Sequence, residues 1–173
     1  AWESNINNQS RWVIFSDLHM GDGSTKDDFK PNSELFQCAL RDYYLKRNYS
    51  LMLNGDVEEL QRFSLDVILK NRNLVYKLFD AFANKNRLAK TYGNHDLQLK
   101  VQKPPYDYKI SEACKLSYEG DHIFIYHGHQ ASKKYQLQND LVGFTLKYFA
   151  NPLRIKDYSV SHSSKKQYKI EKR

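Results

Sequence analysis

The sequence predicts an α/β domain built on a parallel sheet, with its functional residues gathered at the carboxyl ends of the strands. Two observations predict it. Short apolar runs alternate with longer segments of helical periodicity, and each apolar run ends in a cluster of Asp, Asn, His and Gly. Parallel strands need crossovers long enough to hold a helix, and such crossovers are right-handed. In sheets of this kind, ligands bind just beyond the carboxyl ends of the strands.

The elements follow in order. Trp12-Val-Ile-Phe15 is a continuous apolar run and reads as a buried strand. Residues 16–30 are polar and contain two glycines, so they read as a loop. Ser33 is placed to cap a helix in which Leu35, Phe36, Ala39, Leu40, Tyr43 and Tyr44 recur at helical spacing. Residues 49–53 form a second strand, ending in Asn54-Gly55-Asp56. Ser64 is placed to cap a helix running to about Ala83, with Leu65, Ile68, Leu69, Val75, Leu78, Phe79 and Phe82 on its apolar side. Residues 88–92 form a third strand, ending in Gly93-Asn94-His95-Asp96.

Beyond this point the pattern changes. Pro104-Pro105 marks a break, and residues 106–118 fit an irregular strand or a short helix. Glu119-Gly120-Asp121 reads as a turn. Residues 123–126 are another apolar strand, ending in His127-Gly128-His129. Residues 138–149 read as a helix stopped by Asn151-Pro152. The expected organisation is an extension over residues 1–10, a domain over 11–160 and a basic segment over 161–173.

Composition narrows the class. The chain has 173 residues, 40% of them hydrophobic and 14% aromatic, enough to bury a core. A formal charge of +7 favours anionic partners, although much of it lies in the last residues and suits a solvated tail. Two cysteines make neither a disulfide framework nor a thiolate zinc site. No apolar run approaches the roughly 20 residues of a membrane span, and no secretory leader precedes the first strand. A reduced, cytoplasmic setting is the expectation.

Four strand ends therefore supply Asp17 and His19, Asp56, Asn94 with His95 and Asp96, and His127 with His129. Oxygen and imidazole donors without thiolate suit divalent Mn, Fe, Zn, Co or Mg. Asp17 and His19 are two apart, so on an extended strand end both reach the same side. Taken singly, each residue has an ordinary use as a turn residue, a helix cap or a surface histidine. Gly-Asn-His-Asp is more specific, since composition alone yields it in roughly one chain of this length in a few thousand.

In this order and spacing, Asp-x-His, Gly-Asp, Gly-Asn-His-Asp and His-Gly-His resemble the calcineurin-like metallophosphoesterases over residues 11–130. The resemblance implies a layered αββα sandwich and two divalent ions, Mn foremost. It implies that Asp17 and His19 bind the first ion, that Asp56 bridges, and that Asn94 and His127 bind the second. It implies that hydroxide generated between the ions attacks phosphorus while His95 assists the leaving group and Asp96 orients His95. His129 is expected either to support the site or to contact substrate. Substrates would be phosphorylated small molecules, nucleotides or lipids.

The family's closing Gly-His-x-His does not occur in the sequence, and His162 is a lone histidine in that region. Five of seven expected protein ligands are present, and the chain is expected to be a fragment. The absence also admits a catalytically impaired interaction module of the same fold. The stretches 55–60 and 127–130 resemble the UDP-diacylglucosamine pyrophosphatase branch, in which residues 137–149 would form a lipid-binding cap; an ordinary packing helix is the plainer reading. Nucleic-acid binding through the basic tail has no recognition motif to support it.

Overall fold

The computed structural model describes residues 1–102 and 104–131. Strands β1 (Trp2–Asn5), β2 (Trp12–Phe15) and β3 (Ser50–Asn54) are followed by β4 (Leu88–Thr91), β5 (Ile110–Ser111), β6 (Cys114–Tyr118) and β7 (Asp121–Ile125). Helix α1 (Ser33–Cys38) joins β2 to β3, and α2 (Leu65–Asn71) and α3 (Asn73–Ala83) join β3 to β4. The strands form two sheets. One is four-stranded in the order β2-β3-β4-β5 with every pairing parallel. The other has the order β1-β6-β7, with β1 parallel and β7 antiparallel to β6.

Strand alternation divides the core in two. Leu51, Leu53 and Leu88 join a cluster with Phe36 and Leu40 and with Val75, Tyr76, Phe79 and Phe82 of α3. Met52 and Ala89 point the other way and pack on Cys114 and Leu116 of the second sheet, flanked by Trp2, Trp12 and Ile125. Helices, four-stranded sheet and three-stranded sheet are therefore stacked in that order. The class is mixed α/β, as expected. The helix expected over residues 138–149 and the basic segment 161–173 lie outside the described residues. Among the described residues, no helix is long and apolar enough to cross a membrane.

Four expectations are corrected. Residues 1–10 are not merely an extension, because Trp2–Asn5 pairs along β6 from Trp2↔Cys114 to Asn5↔Ser117. The segment 64–83 is two helices, broken at Arg72, whose backbone leaves the helical region at φ −113°, ψ 21°. The break lets the buried guanidinium reach Asp27, whose carboxylate also accepts from the N–H groups of Gly23 and Phe29. Neither Ser33 nor Ser64 caps through its side chain: a 3-10 turn over Lys30–Asn32 leads into α1, and Ser64 contributes only its carbonyl, to Ile68. Past Cys38 the helix widens into a π-helix over Ala39–Leu45. Finally, the strand that delivers His127 belongs to the second sheet, not to the parallel one.

One ion pair lies wholly inside. Lys90 on β4 and Glu58, in the loop after β3, are both 0% exposed, with Nζ 2.5 and 2.7 Å from the two carboxylate oxygens. Tyr76 donates to Glu58 at 2.7 Å, and Lys90 donates to the Tyr106 hydroxyl at 3.1 Å. A buried charge left without its partner is costly. Lys90→Met is therefore expected to lower unfolding free energy by about 3–5 kcal/mol in denaturant melts. A change below about 1 kcal/mol would show that the pair carries no such strain.

Candidate metal centre

The loops that leave β2, β3 and β4 meet around Asp56. Asp17, His19 and Asp56 all adopt left-handed backbone conformations, with φ of 57°, 48° and 52°. Such φ values are uncommon outside glycine, and they persist where surrounding bonds over-determine them. The bonds are present: Asp17 N–H donates to Gly55 O, His19 N–H to Asp56 O, and Met20 N–H to Val57 O. The first loop is thus laid along the second.

Gly93 fits because nothing larger would. A Cβ there would lie 2.0 Å from Asp56 Oδ1 and 2.2 Å from its backbone nitrogen. Gly55, at φ 75°, permits an equally close approach by the ring of His127. Beside Gly93, the His95 N–H donates to Asp56 Oδ1 at 2.8 Å. Asn94 lies between these two contacts, on the turn that grips Asp56. Its carbonyl accepts from Gln61 at 3.4 Å.

The other carboxylate oxygen, Asp56 Oδ2, faces two imidazoles. His19 Nε2 is 3.9 Å away and His127 Nε2 is 3.3 Å away. Asp17 Oδ1 lies 3.9 Å from the same His19 nitrogen. The donor atoms of Asp17, His19 and Asp56 all lie within 4.8 Å of one another. Asp17, His19, Asp56, Asn94, His95 and His127 are therefore brought together from two sheets and three loops.

Glu59 is the residue the sequence reading missed. One of its oxygens accepts from His19 Nδ1 at 2.8 Å, and the carboxylate meets His95 Nδ1 at 2.8–2.9 Å. The two rings stand edge to face at 4.6 Å. His19, Glu59 and His95 also form a cluster of ligand type, but bonds this short fill the space between the atoms. Ions held at about 2.0–2.2 Å keep their ligands roughly 3 Å apart or more. Glu59 is thus a hydrogen-bond partner that turns His19 Nε2 toward the two aspartates. A carboxylate three residues after Asp56 was its only signal in the sequence.

Asp96 does not orient His95. It is fully buried, and its oxygens accept from the N–H groups of Gly93 at 2.7 Å and Val57 at 2.9 Å. It ties the third loop to the second, and the role expected of it falls to Glu59. Burial, with Glu58 nearby, pushes its carboxyl up to about 6.

Asn54 carries His127 across to the site. Its carbonyl accepts from His127 Nδ1 at 2.9 Å, while its side chain bonds Thr91 on β4 and the Tyr126 carbonyl beyond β7. His129 lies next to His127, with ring centroids 5.6 Å apart, but both its ring nitrogens are buried without a hydrogen-bond partner among the described residues. His162 lies outside the described residues.

The electrostatics fit a cation. Burial alone would raise the carboxyls of Asp56 and Glu59, yet the facing histidines outweigh it and hold both below the usual carboxylate range. The bond to Asp56 pushes His127 up to about 9, against the opposing effect of burial. His127 Nδ1 must donate to a carbonyl, so a second proton on Nε2 is what lets that nitrogen sit 3.3 Å from a carboxylate oxygen. That proton occupies the place a divalent ion would take. Mixed carboxylate and imidazole donors suit Mn, Fe, Zn, Co or Mg.

Comparison of the chain with protein-family models, with curated proteins and with solved structures gives no match.

A pH dependence follows, with a definite sign. The folded-state pKa of His127 is raised, so its pairing with Asp56 stabilises the metal-free protein fully below about pH 6.5 and is lost as pH rises toward about 9. Asp56 stays ionised throughout this window, because its own pKa is lowered. The Tm of the protein in chelator is expected to fall between these values, and added Mn to restore it more strongly at the alkaline end. An Mn effect that weakens as pH rises would contradict proton displacement from His127.

Proposed function

We propose that this chain is a metal-dependent phosphoesterase of the calcineurin-like type, acting on phosphate mono- or diesters. One observation carries the reading: Asp56 Oδ2 lies between His19 Nε2 and His127 Nε2, which arrive from different sheets. An oxygen so placed suits a ligand shared by two ions, with Asp17 and His19 on one side and His127 with Asn94 on the other. When bound, such ions polarise a phosphoryl group and make a water acidic enough to attack it near neutral pH.

The remaining chemistry falls to the chain. His95 donates through Nδ1 to Glu59, which leaves Nε2 as the atom available to a leaving oxygen. Glu59 stabilises the protonated ring, so His95 can hold a proton at Nε2 and release it as charge develops on that oxygen. The same carboxylate fixes the ring of His19. One side chain thereby aligns a metal ligand with the proposed acid. Asp56 Oδ1 holds the His95 backbone, which fixes the acid relative to the reacting phosphorus.

Hydrolysis of p-nitrophenyl phosphate or its diester in the presence of Mn is the direct assay. His95→Asn is expected to lower kcat by about 10²- to 10⁴-fold. Asn94→Ala is expected to abolish turnover, and Glu59→Gln to reduce it by about 10- to 100-fold. Full activity in both His95→Asn and Asn94→Ala would reject the assignment.

A further inference from the structure

A second hollow lies at the opposite end of the four-stranded sheet from the metal centre. Its volume is about 760 Å³, inside the range of about 300–1,000 Å³ typical of small-molecule sites. Leu88, the first residue of β4, and Trp2 of β1 form one wall. Asp80 on α3 and Asn84 and Asn86 just after it form a second. The strap Pro105 to Lys109 closes the third.

The lining has a distinct chemistry. Trp2, Tyr106 and Tyr108 give flat apolar rings, and the two tyrosines stack at 4.1 Å with only 8° between their planes. Around them stand short carboxylates and amides, Asp80, Asp107, Asn84 and Asn86, against the single cation Lys109. That balance disfavours a phosphate or other anion. The Tyr108 hydroxyl is buried and has no hydrogen-bond partner among the described residues. Burial, with Glu58 and Asp80 nearby, raises its pKa, so it remains a neutral donor and acceptor. Buried polar groups are nearly always satisfied, so an orphan in a cavity wall points to a partner that enters the cavity.

We propose that this hollow binds a neutral sugar of disaccharide size. A pyranose has apolar C–H faces, which pack on aromatic rings, and an equator of hydroxyls, which pair with carboxylates and amides. Asp80 and the Asn84 and Asn86 amides would take adjacent hydroxyls, and the Tyr108 hydroxyl would gain the partner it lacks. The site is separate from the metal centre and does not depend on its occupancy.

The chain reports on the hollow by itself. Its two tryptophans are Trp2, in the wall, and Trp12, packed edge-on to it at 5.4 Å. Tryptophan emission of the full chain would be followed during titration with maltose, cellobiose and lactose, with adenosine as a flat aromatic comparison. A Trp12→Phe variant assigns the signal to Trp2. The expected result is a saturable change with at least one disaccharide at millimolar concentration, unaltered by chelator. Asp80→Ala and Tyr108→Phe should each weaken it roughly tenfold with Tm unchanged. The proposal is overturned if none of the disaccharides gives saturable binding, if only adenosine does, or if a well-folded Tyr108→Phe variant binds as tightly as the parent.

Discussion

The rest of the site hangs on the carboxylate of Asp56. Its backbone sits in a left-handed conformation directly after Gly55, which does the same. Two consecutive residues of this kind turn the chain sharply at the end of β3 and aim one side chain into the gap between the sheets. Oδ1 is then held by the His95 N–H, and Oδ2 is left facing His19 and His127. Gly93 must lack a side chain for this to happen, because its Cα lies against Asp56 itself. The geometry of three loops is thereby fixed by a single group.

Such a group needs a rigid base. The loop after β3 is anchored below by Glu58, which is locked to Lys90 on the neighbouring strand and to Tyr76 on α3. It is anchored from the side by Asp96, which accepts from Val57. Buried ion pairs often contribute little net stability, because desolvation offsets the attraction. What this pair does contribute is position: Asp56, Glu58 and Glu59 point to three different partners from four consecutive residues. The uncompensated carboxylates that remain around Asp56 draw protons onto His127, and a divalent cation would relieve the same imbalance with far more charge.

Much of this was legible in the sequence. The apolar runs at residues 12–15, 49–53 and 88–92 gave the parallel strands, and the polar cluster after each gave the loops that meet. Local patterning could not say that residues 123–126 join the second sheet, because a short apolar run has no period that distinguishes sheets. Nor could it find the break at Arg72, which depends on Asp27, a partner 45 residues away in the chain. Asp96 was misread because adjacency in sequence stood in for contact; a residue next to His95 on a tight turn points away from its ring. Glu59 was missed for the converse reason, since it meets His19 and His95 only after the chain has crossed the sheet twice. Strand β1 spans four residues of mixed polarity and owes its place to pairing with β6.

The central claim is that Asp56 Oδ2 is an oxygen shared between cations. Anomalous diffraction from crystals grown with Mn near neutral pH addresses it directly. The account predicts Mn peaks at coordinating distance from Asp56 Oδ2, one toward Asp17 and His19 and one toward Asn94 and His127, with His127 no longer in direct contact with Asp56. Crystals saturated with Mn that give no peak there, with the His127–Asp56 contact intact, would contradict it.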